Sequence, residues 1–187
     1  MDDESTLTDE DLVLAFRDSG VSAHLDRLFS RNIPTVRAMI YQMVLNHADA
    51  DELTQEVFVR VARGIDRFNS KACFSTWLHR IVMNCTKTFI SRRARHTVDF
   101  HESPPEMPAD SCSRPDLAVS AAEVDGRIQQ ALASLRPKLR AAVVLTMIQN
   151  VPLPEAARIE GCALPTMYWR VHEARRQLKH LLKECLS

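Results

Sequence analysis

Residues 154–182 read PEAARIEGCALPTMYWRVHEARRQLKHLL: a short apolar-patterned run, a Gly161-Cys162 turn, and a longer run rich in arginine. Ala157 and Ile159 precede the glycine. After it, Met167, Val171, Ala174, Leu178 and Leu181 recur at helical spacing and fall on one stripe, leaving Trp169, Arg170, Glu173, Arg176 and Lys179 mostly outside it. Helix, glycine turn and helix in this order predict a helix-turn-helix, whose second helix enters the DNA major groove with its N-terminal residues toward base edges. The competing reading of the pattern alone is an amphipathic hairpin with no DNA function.

Outward from this motif, the pattern stays helical. Pro137 suits a first helical position, and residues 139–148 are apolar except for Arg140 and Thr146, so this helix is expected to form a buried centre. A helix over about 118–135 precedes it, carrying Val124, Ile128, Leu132 and Leu135. In the N-terminal half, Thr8 is expected to cap a helix with Leu12, Ala15 and Phe16 that ends near Gly20. A second stretch, about 21–45, is interrupted or restarted by Pro34. The run 49–63 puts Leu53, Val57 and Val61 on one face, and a last helix, about 74–95, carries Phe74, Trp77, Leu78, Ile81, Cys85 and Phe89. A polar loop holding Phe68 separates the last two.

The chain has 187 residues with 45% apolar content but only 4 Gly, too few for the turns of a many-stranded β protein. Residues 97–117 hold four of the nine prolines and few large apolar side chains, which predicts a flexible acidic linker. The expected fold is therefore all-α, with two small helical domains, 1–96 and 118–187, joined by that linker.

Lys plus Arg and Asp plus Glu both number 24, so the net charge is zero, but the zero is a sum of unlike segments. Residues 1–28 carry 8 acids and 2 bases; 71–96 carry 6 bases and no acid; 97–126 carry 7 acids and one base; 127–187 carry 4 acids and 10 bases. Each predicted domain thus has one basic segment, the electrostatic footprint of a phosphate-binding surface. The first lies among Phe68, Phe74 and Trp77, and cations with aromatic faces are what a groove for single-stranded nucleic acid requires. A core position is the simpler role for each aromatic taken singly. Asp49, Asp51, Glu52 and Glu56 form a third cluster, suited either to a helix N-terminus or to docking a basic partner.

Other classes find no support. The acidic start, Met1-Asp2-Asp3-Glu4, is unlike a secretory signal, and no apolar run reaches the roughly 18 residues of a membrane span, so a cytoplasmic location is expected. Five scattered cysteines suggest neither a disulfide framework nor a zinc cluster. Catalytic and phosphate-loop motifs are lacking, so no enzyme activity, cofactor, metal or small-molecule substrate is expected.

Three stretches in order, ADELTQEVFVR at 50–60, FSTWLHRIVMN at 74–84, and Gly161-Cys162 with Thr166 and the basic run 170–176, resemble the extracytoplasmic-function sigma factors of bacterial RNA polymerase over about 8–183. The resemblance implies that Asp51, Glu52, Gln55 and Glu56 dock on the clamp helices of the polymerase's largest subunit, with the flap of the second-largest subunit as a further contact. It implies that Phe68, Asn69, Ser70, Lys71, Phe74, Trp77, Arg80, Asn84, Lys87, Arg92 and Arg93 recognise and open the −10 promoter element. It assigns −35 recognition to Thr166, Tyr168, Trp169, Arg170, His172, Glu173 and Arg176, with Glu173 a candidate acceptor for cytosine N4. An anti-sigma partner, often tethered at the inner membrane, is implied as well. Pro152-Leu153-Pro154 departs from the hydroxyl cap usual in that family. The alternatives are a free-standing helix-turn-helix regulator, which leaves the Trp77 segment without a task, and a helical adaptor without promoter affinity.

Overall fold

The computed structural model describes residues 7–69, 73–100 and 121–184. Helix α1 (Asp9–Ser19) begins at a reciprocal cap: the Asp11 N–H donates to Thr8 Oγ1 at 3.2 Å and the Thr8 N–H to Asp11 Oδ2 at 3.0 Å. It ends at Gly20, whose φ of 68° lets its N–H reach the Phe16 carbonyl at 2.7 Å. Helix α2 (Ser22–Val44) runs through Pro34 without a break, where the sequence suggested an interruption. The missing hydrogen bond falls on an exposed face, so water can serve the carbonyl of exposed Ser30. Helix α3 (His47–Gly64) starts at Asn46, which accepts from the Asp49 N–H at 3.0 Å, and passes into a 3₁₀ turn (Ile65–Arg67).

Helix α4 (Phe74–Phe100) outlasts the expected end near 95 and enters the first residues assigned to the linker; the rest of that segment, 101–117, lies outside the described residues. Helix α5 (Ala121–Ser134) leads to α6 (Pro137–Val143), which widens into a π turn (Val144–Ile148). Leu139 and residues 141–145 are buried, as their apolar run predicted. Helix α7 (Leu153–Glu160) opens at Pro152 without a side-chain cap, and Gly161, at φ 64°, turns the chain into α8 (Leu164–Glu184). Among the described residues these elements are helical, with no strand.

The core of α1–α4 is built on Leu12, Leu28, Met39, Ile40, Val57, Val61, Phe74 and Val82. It continues without a gap into Ala142, Val144, Leu145, Ala156 and Met167 of the second half, so the two helical units pack against each other. A smaller cluster, Leu132, Leu135, Leu139, Val143 and Ala174, belongs to the second unit alone. Arg140 fastens three helices: its guanidinium donates to the carbonyls of Leu132 at 2.7 Å, Ala133 at 2.9 Å and Leu135 at 3.3 Å around the end of α5, and of Met43 at 2.6 Å in the last turn of α2.

Candidate nucleic-acid interface

Phe68, Phe74 and Trp77 form one aromatic cluster, with ring centroids 5.6–5.8 Å apart and Phe68 edge-on to Phe74. Phe68 is 3% exposed and Phe74 not at all, so in this structure neither ring presents a free face on which a base could stack. Both back the half-buried Trp77 instead. Gly64 lies beneath that indole, and a Cβ there would come within 3.3 Å of the ring. Arg80 and Asn84, three and seven residues beyond Trp77, are exposed on α4, as is Arg92. Arg93 is ion-paired with Asp49 of α3. Asn69 is exposed, and Ser70 and Lys71 lie outside the described residues. His79, half-buried in α4, has its pKa pushed below the ordinary histidine value by burial, which favours the neutral ring.

Helix α1 positions this region. Glu10 accepts from the Phe74 N–H at 2.6 Å, capping α4, and Arg17 donates to the Phe68 carbonyl at 2.9 Å. The acidic face of α3 is partly neutralised within the chain. Asp51 is held by Arg37 through bonds of 2.5 and 3.2 Å, which keep its carboxyl below the usual carboxylate range, and Glu56 pairs with Arg60 at 2.5 Å. Glu52 and Gln55 are exposed between them.

In the helix-turn-helix, Met167, Val171 and Ala174 bury one stripe of α8. The opposite face presents Tyr168, 56% exposed, and Trp169, 62% exposed, together with Thr166, His172 and Arg176. Two exposed cations absent from the predicted set, Arg175 and Lys179, continue this face at the i+3 and i+7 spacing from His172 that could have identified them.

Three of the candidate residues are engaged within the chain. The Arg170 side chain is only 12% exposed and pairs with Glu160 of α7 at 3.2 Å, so it does not face outward with its neighbours. Glu173 accepts both Arg176 nitrogens, at 2.8 and 2.7 Å, and the Gln177 amide at 2.7 Å. The Arg176 bonds, then that of Gln177, lower its pKa to about 2. Its carboxylate is thus engaged by its own helix, and it orients Arg176. Lys87 of α4 also reaches Glu160, at 2.8 Å, instead of pointing freely to solvent. Among the described residues, no cluster of His, Cys, Asp and Glu could hold a metal, and no helix is long and apolar enough to cross a membrane.

Comparison with known proteins finds matches in both halves of the chain. Residues 28–96 match Sigma-70 region 2, and residues 125–178 match Sigma-70, region 4. The ECF RNA polymerase sigma factor SigE of Mycolicibacterium smegmatis is 33% identical over 84% of this chain, which spans only 61% of that longer protein. The RNA polymerase sigma factor CarQ of Myxococcus xanthus is 31% identical over 90% of this chain and 94% of its own length. The sigma factor RpoE, solved in complex with the anti-sigma factor NepR from Bartonella quintana, superposes with a TM-score of 0.68 at 28% identity, covering 87% of this chain and 98% of that one. Two family regions in order, and relatives alike over nearly their whole length, place this chain among the extracytoplasmic-function sigma factors of RNA polymerase.

Proposed function

We infer that this protein acts as an alternative sigma factor: it binds core RNA polymerase, directs it to promoters through two DNA-reading helices, and helps open the −10 element. The observation that carries this reading is the coexistence of a half-exposed Trp77 over the exposed polar and basic face of α4 with a helix-turn-helix whose second helix is exposed on its aromatic and basic face. A free-standing regulator accounts for the second feature and leaves the first without a purpose.

The division of labour follows from the chemistry. Domain 1–96 docks and melts; the segment 97–117 tethers; domain 118–187 reads the −35 element. Glu52 and Gln55 offer the exposed part of the docking face, flanked by Asp51 and Glu56. Extruding a −10 base costs a few kcal/mol and must be offset by pocket contacts. Trp77, backed by two buried phenylalanines, supplies a face that does not yield, and Asn84 supplies donor and acceptor for a base edge. Arg80 and Arg92 neutralise phosphates. On α8, Trp169 and Tyr168 suit apolar contact with thymine methyls, and Arg176, oriented by Glu173, suits a guanine edge or a phosphate.

The protein performs no chemistry of its own in this role. Its place is the cytoplasm, where the polymerase works, and an anti-sigma factor that covers its polymerase-binding surfaces would keep it inactive, at the inner membrane if that factor is anchored there. The RpoE relative with its NepR partner supports such a regulator. Run-off transcription with purified core polymerase tests the reading: added protein should form holoenzyme and give a promoter-dependent transcript. Failure to associate with core would overturn it in favour of the free-standing regulator.

A further inference from the structure

Glu160, the last residue of α7, is the most deeply buried carboxylate among the ion pairs described, its side chain 1% exposed. Each of its oxygens meets a cation from a different DNA-reading helix: Oε1 lies 2.8 Å from Lys87 Nζ of α4, and Oε2 lies 3.2 Å from Arg170 Nη1 of α8. Five residues earlier on the same helix, Glu155 accepts the hydroxyl of Thr76, again from α4. Between them Ala156, Ala157 and Ile159 are buried in the core that the two units share, and two of the three are small enough for close helix approach.

We propose that α7 is an intramolecular docking surface whose partner is the chain's own α4, with Glu160 as its latch. The latch rests on the reading of α4 and α8 as promoter readers only for its consequence. While closed, it withdraws Lys87 and Arg170 from phosphates and holds the −10 and −35 helices on the same short helix, α7. The charge pattern fits a reversible contact. A carboxylate removed from water is stabilised by two cations, one of which remains partly in solvent, so replacing it leaves both cations without a counter-charge and favours their release to water. Polymerase, by holding the two domains apart on a promoter, would compete with this contact directly.

The test uses the full chain with Glu160→Gln, which keeps the shape and removes the charge. Small-angle scattering should give a radius of gyration near the ~16 Å of a compact chain of this length for the wild type, and a larger one for the variant. Amides of α7 should exchange faster in the variant by about tenfold or more. Lys87→Met, read by scattering alone, should open the chain as well. On a short mixed-sequence DNA duplex, the two released cations should steepen the salt dependence of E160Q binding by up to about 1.8 in the log–log slope.

An unchanged radius in both variants, at unchanged helix content, overturns the latch. So does loss of helix content in E160Q, which would make Glu160 a folding element of α7. If the variant opens and the salt slope stays at the wild-type value, the masking role fails, and with it the reading of Lys87 and Arg170 as DNA-facing residues, while run-off transcription independently decides whether the chain is a sigma factor at all.

Discussion

Replacing Arg140 by methionine should loosen the ends of two helices at once. Neither α2 nor α5 carries a basic residue in its last turn, so the cation that complements both dipoles comes from α6. Of the four carbonyls that Arg140 serves, Ala133 is exposed and can turn to water, and the bond to Leu135 is long at 3.3 Å. The short bonds to Leu132 and Met43, at 2.7 and 2.6 Å, reach partly buried oxygens that methionine would leave unpaired. At roughly 1–1.5 kcal/mol for each, with a few tenths more for each helix dipole, the loss comes to about 3 kcal/mol. For a chain of this size that lowers Tm by about 6–12 °C. Burial pulls the guanidinium pKa down, yet an arginine stays charged throughout the neutral range, so the loss should not depend on pH between 6 and 9. Thermal denaturation followed by circular dichroism measures it. Arg140→Lys serves as the control: it restores the charge, but a single ammonium cannot fork between α2 and α5, so it should recover less than half. A methionine variant within about 2 °C of wild type, or a lysine variant equal to it, would refute the fastening role.

Four further outcomes follow from the same geometry. Gly161→Ala meets no atom within 4 Å, so its cost should be that of a left-handed backbone alone, about 1–2 kcal/mol by urea denaturation; a neutral effect would contradict the φ of 64°. Charge reversal at Asp51 and Glu52 together should weaken core polymerase binding in a pull-down or titration, and Asp51→Lys should do part of its damage by repelling Arg37. Trp77→Ala and Asn84→Ala should bind core normally and lose permanganate-detected melting, and normal open complexes from both would sink their assignment. His79 titrates below the ordinary 6.5 because burial disfavours its cation, so the unfolded chain takes up the proton first; stability is complete above pH 6.5 and falls as pH drops from there toward the folded pKa. Denaturant midpoints at pH 7.5 and 5.5 should differ less in His79→Gln than in wild type.

Local signals were legible in the sequence where the physics is local. The Thr8 cap, the glycine ends of α1 and α7, and the buried stripe of α8 all depend on residues within a few positions of one another, and each appears where the pattern put it. What the sequence concealed is long-range. Periodicity places Phe74 and Trp77 near one face but does not say which ring the rest of the fold covers, and it does not show that α1 bonds to the backbone of both Phe68 and Phe74. Arg170 looks like an outward cation until Glu160, on another helix, draws it in. Lys87 has the same partner from 73 positions away in the chain, a pairing no spacing rule reveals. The π turn in α6 was hidden for the opposite reason, since a continuous apolar run has the same appearance whether the helix is regular or widened.

Helix α1 holds Phe68 through Arg17 and Phe74 through Glu10, two anchors seven residues apart on one rigid rod, or about 10 Å along its axis. The positions of Phe68 and Phe74 relative to each other are therefore set before any DNA arrives. Residues already fixed against one helix have fewer conformations to surrender than residues held by nothing, and part of the ordering that base capture would demand is then completed during folding. By this logic an N-terminal helix outside the matched sigma regions would govern the speed of promoter opening without touching a nucleotide.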